Sequence, residues 1–210
     1  MTTSSFLNLD PTALSPHDIY RLLIGTVVPR PIAIVSTQSP SGLNNLAPFS
    51  FFNAVSASPA LLMIAVSRKE NGERKDTHRN IEETGEFVVN TADVALLDPL
   101  VHAAASYPYG VSEFEKVGLS ALPSVKIKPP RVAESPAQFE CKVFKLIELG
   151  DSGPGSSTMI LGEVVQIHLR ANLYHEGKIA QGNLEPLARL GGISYAELGE
   201  RYEKPIPQIK

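Results

Sequence analysis

Residues 46–78 read LAPFSFFNAVSASPALLMIAVSRKENGERKDTH, and this stretch decides the fold. Its first part sets Ser50, Asn53, Ser56 and Ser58 among Phe51, Phe52 and Val55, giving a strand that carries hydrogen-bonding groups without bulk. The strand turns at Pro59 and continues as LLMIAV, which has no polar member and so suits a strand buried on both faces. The loop that follows gathers Arg68, Lys69, Arg74 and Lys75 and ends in Asp76-Thr77. HRNIEETG then reads as a short helix closed by Gly85. A helix N-terminus beside a lysine and a threonine hydroxyl attracts anions, because unpaired N–H groups and the positive dipole end point the same way. On spacing alone the loop also reads as a solvated turn with a capped helix. The whole stretch reads as one wall of a cofactor site.

Upstream, residues 1–16 form an arm, and Ser15-Pro16 introduces a short helix over HDIYRLLIG, with Ser15 as N-cap and Gly25 as its end. TVVPRPIAIVSTQ at 26–38 is strand-like, SPSG at 39–42 is a turn, and LNNLAPFSFFNAVS is read as the single strand that follows. Pro29 and Pro31 mark an edge or a bulge. Downstream come a strand over EFVVNTA, helical spacing through Val94, Leu97, Val101 and Ala104 with a second segment starting at Pro99, and a long proline-rich connection over 105–136. Two long alternating runs, 137–150 and 156–170, are joined by DSGPG, and the tail is Gly-rich and then helical for a turn or two. Many strands, few short helices and no regular βαβ alternation give a mainly β fold, a β-barrel with short helices, in one domain over 17–210.

Composition narrows function. With 43% hydrophobic residues among 210, the chain has enough for one core. A net charge of −3 and a pI near 6.0 leave no electrostatic footprint for nucleic acid or an anionic membrane. The single Cys141 cannot close an internal disulfide and sits at a half-buried strand position with no sign of a reactive thiol, and no apolar run reaches about 18 residues, which together point to a cytoplasmic protein without a membrane span. Gly153-Pro154-Gly155 lacks the strand–helix context of a dinucleotide fingerprint and reads as a hairpin turn. The five histidines show no H-x-x-x-H or H-E-x-x-H spacing, so no metal is expected, and no G-x-S-x-G elbow is present. Tyr174 and His175 fall in a polar loop.

PRPIAIVST at 29–37, APFSFFNAVSASP at 47–59, RKDTHRNIEETGEFVVN at 74–90, YPYGVSEFEKVGL at 107–119 and PPRVAESPAQFEC at 129–141 resemble, in order, the flavin reductase-like family of FMN-binding split-barrel proteins. The resemblance implies a split barrel and a homodimer with FMN at the subunit interface. It implies that Ser50, Phe51, Phe52, Asn53, Ala54 and Val55 line the isoalloxazine, largely by main chain, so that Ala54 must stay small. Ser67, Lys75 and Thr77 would hold the phosphate, while Thr37 would meet the ring's polar edge. Arg189, in PLARLGGISY, would approach the cofactor past Gly191-Gly192. The implied activity is reduction of flavin by NADH or NADPH, with electrons passed to free flavin, oxygen or a partner oxygenase, and no side chain is named as catalytic. The smaller reductases of two-component monooxygenases carry a hydroxyl-rich strand where this chain has Phe51, Phe52, Asn53 and Ala54, which places the chain nearer the longer flavoredoxin-like branch. An FMN-binding electron carrier or flavin store is the alternative. A pyridoxamine-phosphate oxidase-like enzyme is more distant, since the sequence offers no pocket for a second phosphate.

Overall fold

In the computed structural model, residues 5–208 are described. Four helices are present there: α1 (Pro16–Thr26), α2 (Asp76–Thr84), α3 (Leu97–Ala103) and α4 (Glu113–Val117). The strands are β1 (Arg30–Pro31), β2 (Ala33–Gln38), β3 (Asn44–Phe49), β4 (Phe52–Ala57), β5 (Ala60–Ser67), β6 (Glu86–Thr91), β7 (Ala121–Leu122), β8 (Arg131–Val132), β9 (Ala137–Leu149), β10 (Ser157–Leu169), β11 (Tyr174–His175), β12 (Lys178–Ile179), β13 (Leu187–Arg189) and β14 (Tyr195–Glu197). Seven of them form one antiparallel sheet in the order β3-β2-β6-β9-β10-β5-β4. The first and last strands of that order, β3 and β4, are consecutive in sequence and separated only by Ser50-Phe51, so the sheet curls until the end of one edge meets the start of the other without the two pairing. This is a split barrel.

The two-residue period of β2 feeds two cores. Ala33 and Val35 enter the barrel interior with Leu62, Ile64 and Val66 of β5 and Ile81 of α2. Ile34, with Ile32 just before the strand, packs on the opposite side with Leu96, Leu100 and Phe114 under α3 and α4. Buried on both faces, the strand is apolar over Ala33–Val35 and shows no clean alternation, and the buried Ser36 and Thr37 that follow are each hydrogen-bonded. At Gly162 the β9–β10 register shifts, and a Cβ there would run into the Phe87 ring. Glycine is therefore required by close approach.

Several expectations change. The helix at 16–26 runs through Gly25 to Thr26, because Gly25 keeps helical geometry and Val27 is the C-cap, while Ser15 caps the other end by accepting from the Asp18 N–H at 3.1 Å. The segment read as one strand over 43–56 breaks at Ser50-Phe51 into β3 and β4. Pro99 lies inside the first turn of α3, where a proline leaves no hydrogen bond unmade, and does not start it. The 105–136 connection contains α4 and the β7–β8 hairpin. The tail holds the β13–β14 hairpin where a helix was expected, with Gly192 at φ 59° in its turn. Cys141 is fully buried instead of half-buried, and burial pushes its thiol up to about 12. The start of the N-terminal arm lies outside the described residues; residues 5–13 are exposed.

Candidate functional site

β3 carries the centre of a cleft with two lobes that meet at Pro48, Phe49 and Ala104. The first lobe, enclosing about 240 Å³, runs from this junction along Asn45 and Ala47 to the start of α2, where Lys69, Lys75 and Thr77 face Glu113 of α4. The second, about 180 Å³, opens between α1 and the β13–β14 hairpin and is bounded by Tyr20, Arg30, Ser50, Arg189 and Tyr195.

Chain geometry explains the first lobe. α2 follows a loop closed by the Lys69 N–H to Glu73 carbonyl bond at 2.8 Å and begins at Asp76, with Lys75 as an N-cap that offers no side-chain hydrogen bond. The first N–H groups of the helix therefore stay available to a ligand. Thr77 is buried, and its hydroxyl accepts from Asn45 Nδ2 at 3.1 Å, tying α2 to β3. The Lys75 side chain as a whole is exposed, but its ammonium stands 5.9 Å from the centroid of the Phe49 ring. Crowding of that ammonium by protein atoms, and then the neighbouring Lys69, hold its pKa below the ordinary value. Such a cation gains more than a solvated one from an anionic partner. Glu113 has the opposite tendency: burial pushes its carboxyl up, against the Leu46 N–H that donates to it at 2.8 Å.

In the second lobe Arg30 is buried and nearly spent. It donates to the carbonyls of Ile24 (2.6 Å), Val27 (2.8 Å) and Leu190 (2.9 Å) and to Ser50 Oγ (3.3 Å), stapling the end of α1 to the C-terminal hairpin and the cleft rim. Arg189 is half-buried, stacked 4.3 Å from the Tyr195 ring centroid, with Nη2 donating to the Gly192 carbonyl at 2.6 Å.

Of the residues singled out from sequence, Lys75 and Thr77 line the first lobe, and Ser50 and Arg189 the second. Ser67 ends β5 opposite Ser157 and lines neither. Thr37 is fully buried in β2, where its hydroxyl accepts from Asn80 Nδ2 at 3.0 Å and so holds α2 down. Phe51 stacks near Tyr20, with centroids 6.4 Å apart, and Phe52 lines a separate apolar hollow with Pro186 and Leu198. Asn53, Ala54 and Val55 lie exposed on β4, and the Ala54 N–H is taken by Asn53 Oδ1 at 2.8 Å. Sequence reasoning assigned no role to Phe49, Glu113, Arg30, Tyr20 or Tyr195. Arg30 and Phe49 lie within the quoted PRP and APF motifs, yet nothing in those letters says that one becomes a staple and the other a floor.

A split barrel whose cleft has an apolar floor and cations at both ends defines a flavoprotein of the split-barrel class. Residues 24–184 match the Flavin reductase like domain, and the chain belongs to the flavin reductase-like family, whose members bind flavin. A Bacillus subtilis protein, YwrF, is 43% identical over 90% of this chain and 93% of its own. Nitrilotriacetate monooxygenase component B from Bacillus cereus is 38% identical with a TM-score of 0.92, covering 96% of this chain and 100% of that one. The Pseudomonas fluorescens 2-nitrobenzoate 2-nitroreductase NbaA is 33% identical with a TM-score of 0.86, covering 96% of each. Among the described residues no helix is long and apolar enough to cross a membrane.

Proposed function

We propose that this chain is an FMN-dependent oxidoreductase that takes a hydride from NADH or NADPH and passes electrons to free flavin, oxygen or a partner protein. The observation that carries the reading is the first lobe: open N–H groups at the start of α2, a crowded Lys75 ammonium and the Phe49–Pro48 floor fit a phosphate at one end and a flat ring at the other. Lys75 and the α2 amides hold the phosphate, and Thr77 keeps the helix start in place through Asn45. Phe49 and Pro48 support the ring, and Ser50 stands at its rim. Bound FMN supplies the hydride acceptor and electron donor.

The likeness to a monooxygenase component favours an oxygenase as the partner, and we propose a homodimer in which the exposed β4 is covered by a second copy. Asn53, Ala54 and Val55 would then meet the ring from across that interface. The likeness to a nitroreductase favours a second reading, in which the chain reduces a small acceptor within its own cleft. Anaerobic stopped-flow mixing of the FMN-loaded protein with NADH or NADPH tests the reading. Bleaching of the flavin band within seconds is expected from one of the two donors; no bleaching with either leaves an electron carrier or flavin store.

A further inference from the structure

Beyond the shared floor of Pro48 and Phe49 and the rim at Ser50, the second lobe plays no part in holding FMN by the reading above. We infer that it is the binding site of the electron acceptor, and that this acceptor is a small aromatic carboxylate. The inference rests on that reading for the flavin's position at the junction of the lobes.

The charge balance of the two lobes differs. The first sets Lys69 and Lys75 against Asp76 and Glu113, whereas the second contains Arg30 and Arg189 and is lined by no Asp or Glu. Arg30 adds positive potential but has little left to donate, since four of its N–H groups are engaged. Arg189 is different. Among the described residues its side chain makes a single hydrogen bond, to Gly192, and stacking on Tyr195 fixes the plane of its guanidinium. A planar fork with free donors in a half-buried wall is built for a carboxylate, which it can meet with two parallel N–H···O bonds.

Apart from Ser50 and the tyrosine hydroxyls, the rest of the lining is aliphatic or aromatic. Tyr20, Ile24, Ile32, Leu100 and the Phe49 ring face the space in front of Arg189. Its volume of about 180 Å³ is short of the roughly 300 Å³ at which sites begin to take drug-sized ligands. One substituted ring fits within it. Tyr20, Arg189 and Tyr195 fall outside residues 24–184, so three of the eleven lining residues, the carboxylate-facing arginine among them, come from segments that flank the family domain. The carboxylate serves as a handle and is unchanged in the reaction. With A as the reducible group elsewhere on the ring, NAD(P)H + A + H⁺ gives NAD(P)⁺ + AH₂, two electrons leaving the dinucleotide and two protons ending on the acceptor.

Benzoate and its neutral counterpart benzamide provide the test, titrated into the FMN-loaded protein while the flavin spectrum is followed. Benzoate is expected to perturb the spectrum and benzamide to bind at least about tenfold more weakly, the scale of a charge-assisted hydrogen bond. Arg189→Gln should weaken benzoate by about tenfold or more and leave FMN affinity within about twofold, with Arg189→Lys between the two. Circular dichroism establishes that both variants fold. Equal binding of benzoate and benzamide, or no binding of either, overturns the inference. So does an Arg189→Gln protein that loses FMN as readily as benzoate, or one that needs more NADH for bleaching while binding benzoate normally. If NADH bleaches the flavin but benzoate does not bind, the acceptor site fails and the oxidoreductase reading stands. If benzoate binds through Arg189 but no bleaching occurs, the reverse holds. Should the protein carry no FMN, calorimetry on the FMN-free chain compares the same two probes.

Discussion

β3 and β4 are the two edges of one sheet, adjacent in sequence and alike in mixing phenylalanine with small residues, yet they have opposite fates. β3 is covered by α2, α3 and α4, and every one of its side chains is buried or half-buried. Beyond Phe52, β4 is exposed along its whole length. An edge strand has unpaired N–H and C=O groups that must be covered, charged or paired with another chain. Helices have solved that problem for β3, and the space left between them is the cleft. For β4, apart from the irregularity between Ala54 and Ser56, none of the described residues has, and Asn53 and Ser56 do not blunt an edge as lysine or proline would.

The largest expected effect lies on the covered side. Phe114 is on the buried face of α4, and Phe114→Ala should cost about 3 to 5 kcal/mol of stability, measured by urea unfolding. Val55→Ala on β4 should cost less than about 0.5 kcal/mol in the isolated chain. Similar losses would erase the distinction between the edges.

Lys75→Ala should weaken FMN binding by about 1.5 to 3 kcal/mol and leave riboflavin, which lacks the phosphate, almost unchanged. Ala54→Leu provides the contrast. A folded Ala54→Leu protein that takes up FMN normally keeps the ring on β3, whereas a colourless one moves it to β4, directly or across the dimer.

The pH dependence should differ in sign at two buried carboxyls. Burial raises Glu113, so the native state binds its proton more tightly than the unfolded chain; its contribution is favourable at low pH and is lost as pH rises from the ordinary value of 4.5 through the raised one. Glu113→Gln keeps an acceptor for the Leu46 N–H and should remove that decline. At Glu140 burial pushes up, but the Val125 and Lys126 N–H groups, each at 2.7 Å, and His168 outweigh it and hold the carboxyl low. Glu140→Gln should lose stability at neutral pH and differ less from the parent in acid. Unfolding midpoints across about pH 2 to 8 check both.

The smallest change in the chain itself is expected from Val55→Glu. Its unfolding in dilute solution should stay within about 0.5 kcal/mol of the parent. Sedimentation should nevertheless show a shift from dimer to monomer. A parent protein that sediments as a monomer at every concentration removes the dimer altogether.

Much of the fold was legible because the signals were local. Ser15-Pro16 caps a helix, Gly85 ends one at φ 70°, Pro59 turns β4 into β5, and the long alternating runs became β9 and β10 nearly residue for residue. The break at Ser50-Phe51 was not legible, because no glycine or proline marks it and what forces it is the closure of the sheet. The site divides the same way. Lys75 and Thr77 announce themselves through a helix start, but the roles of Arg30, Glu113 and Tyr195 depend on which distant backbone each one meets. β4 drew attention through small polar residues, a composition shared by a strand beside a ligand and a strand beside another chain.

Arg30 also sets an order of completion. It reaches back six residues to the Ile24 carbonyl but waits for Leu190, 160 residues onward. Chains are synthesised from the N-terminus and fold largely in that direction. The lining of the phosphate lobe has left the ribosome once Glu113 has, whereas the second lobe gains its outer wall only when Tyr195 arrives. A nascent or truncated chain lacking the last hairpin leaves Arg30 without its Nη2 partner and without the strand that pairs with β1, so the two halves of the cleft mature at different moments of synthesis.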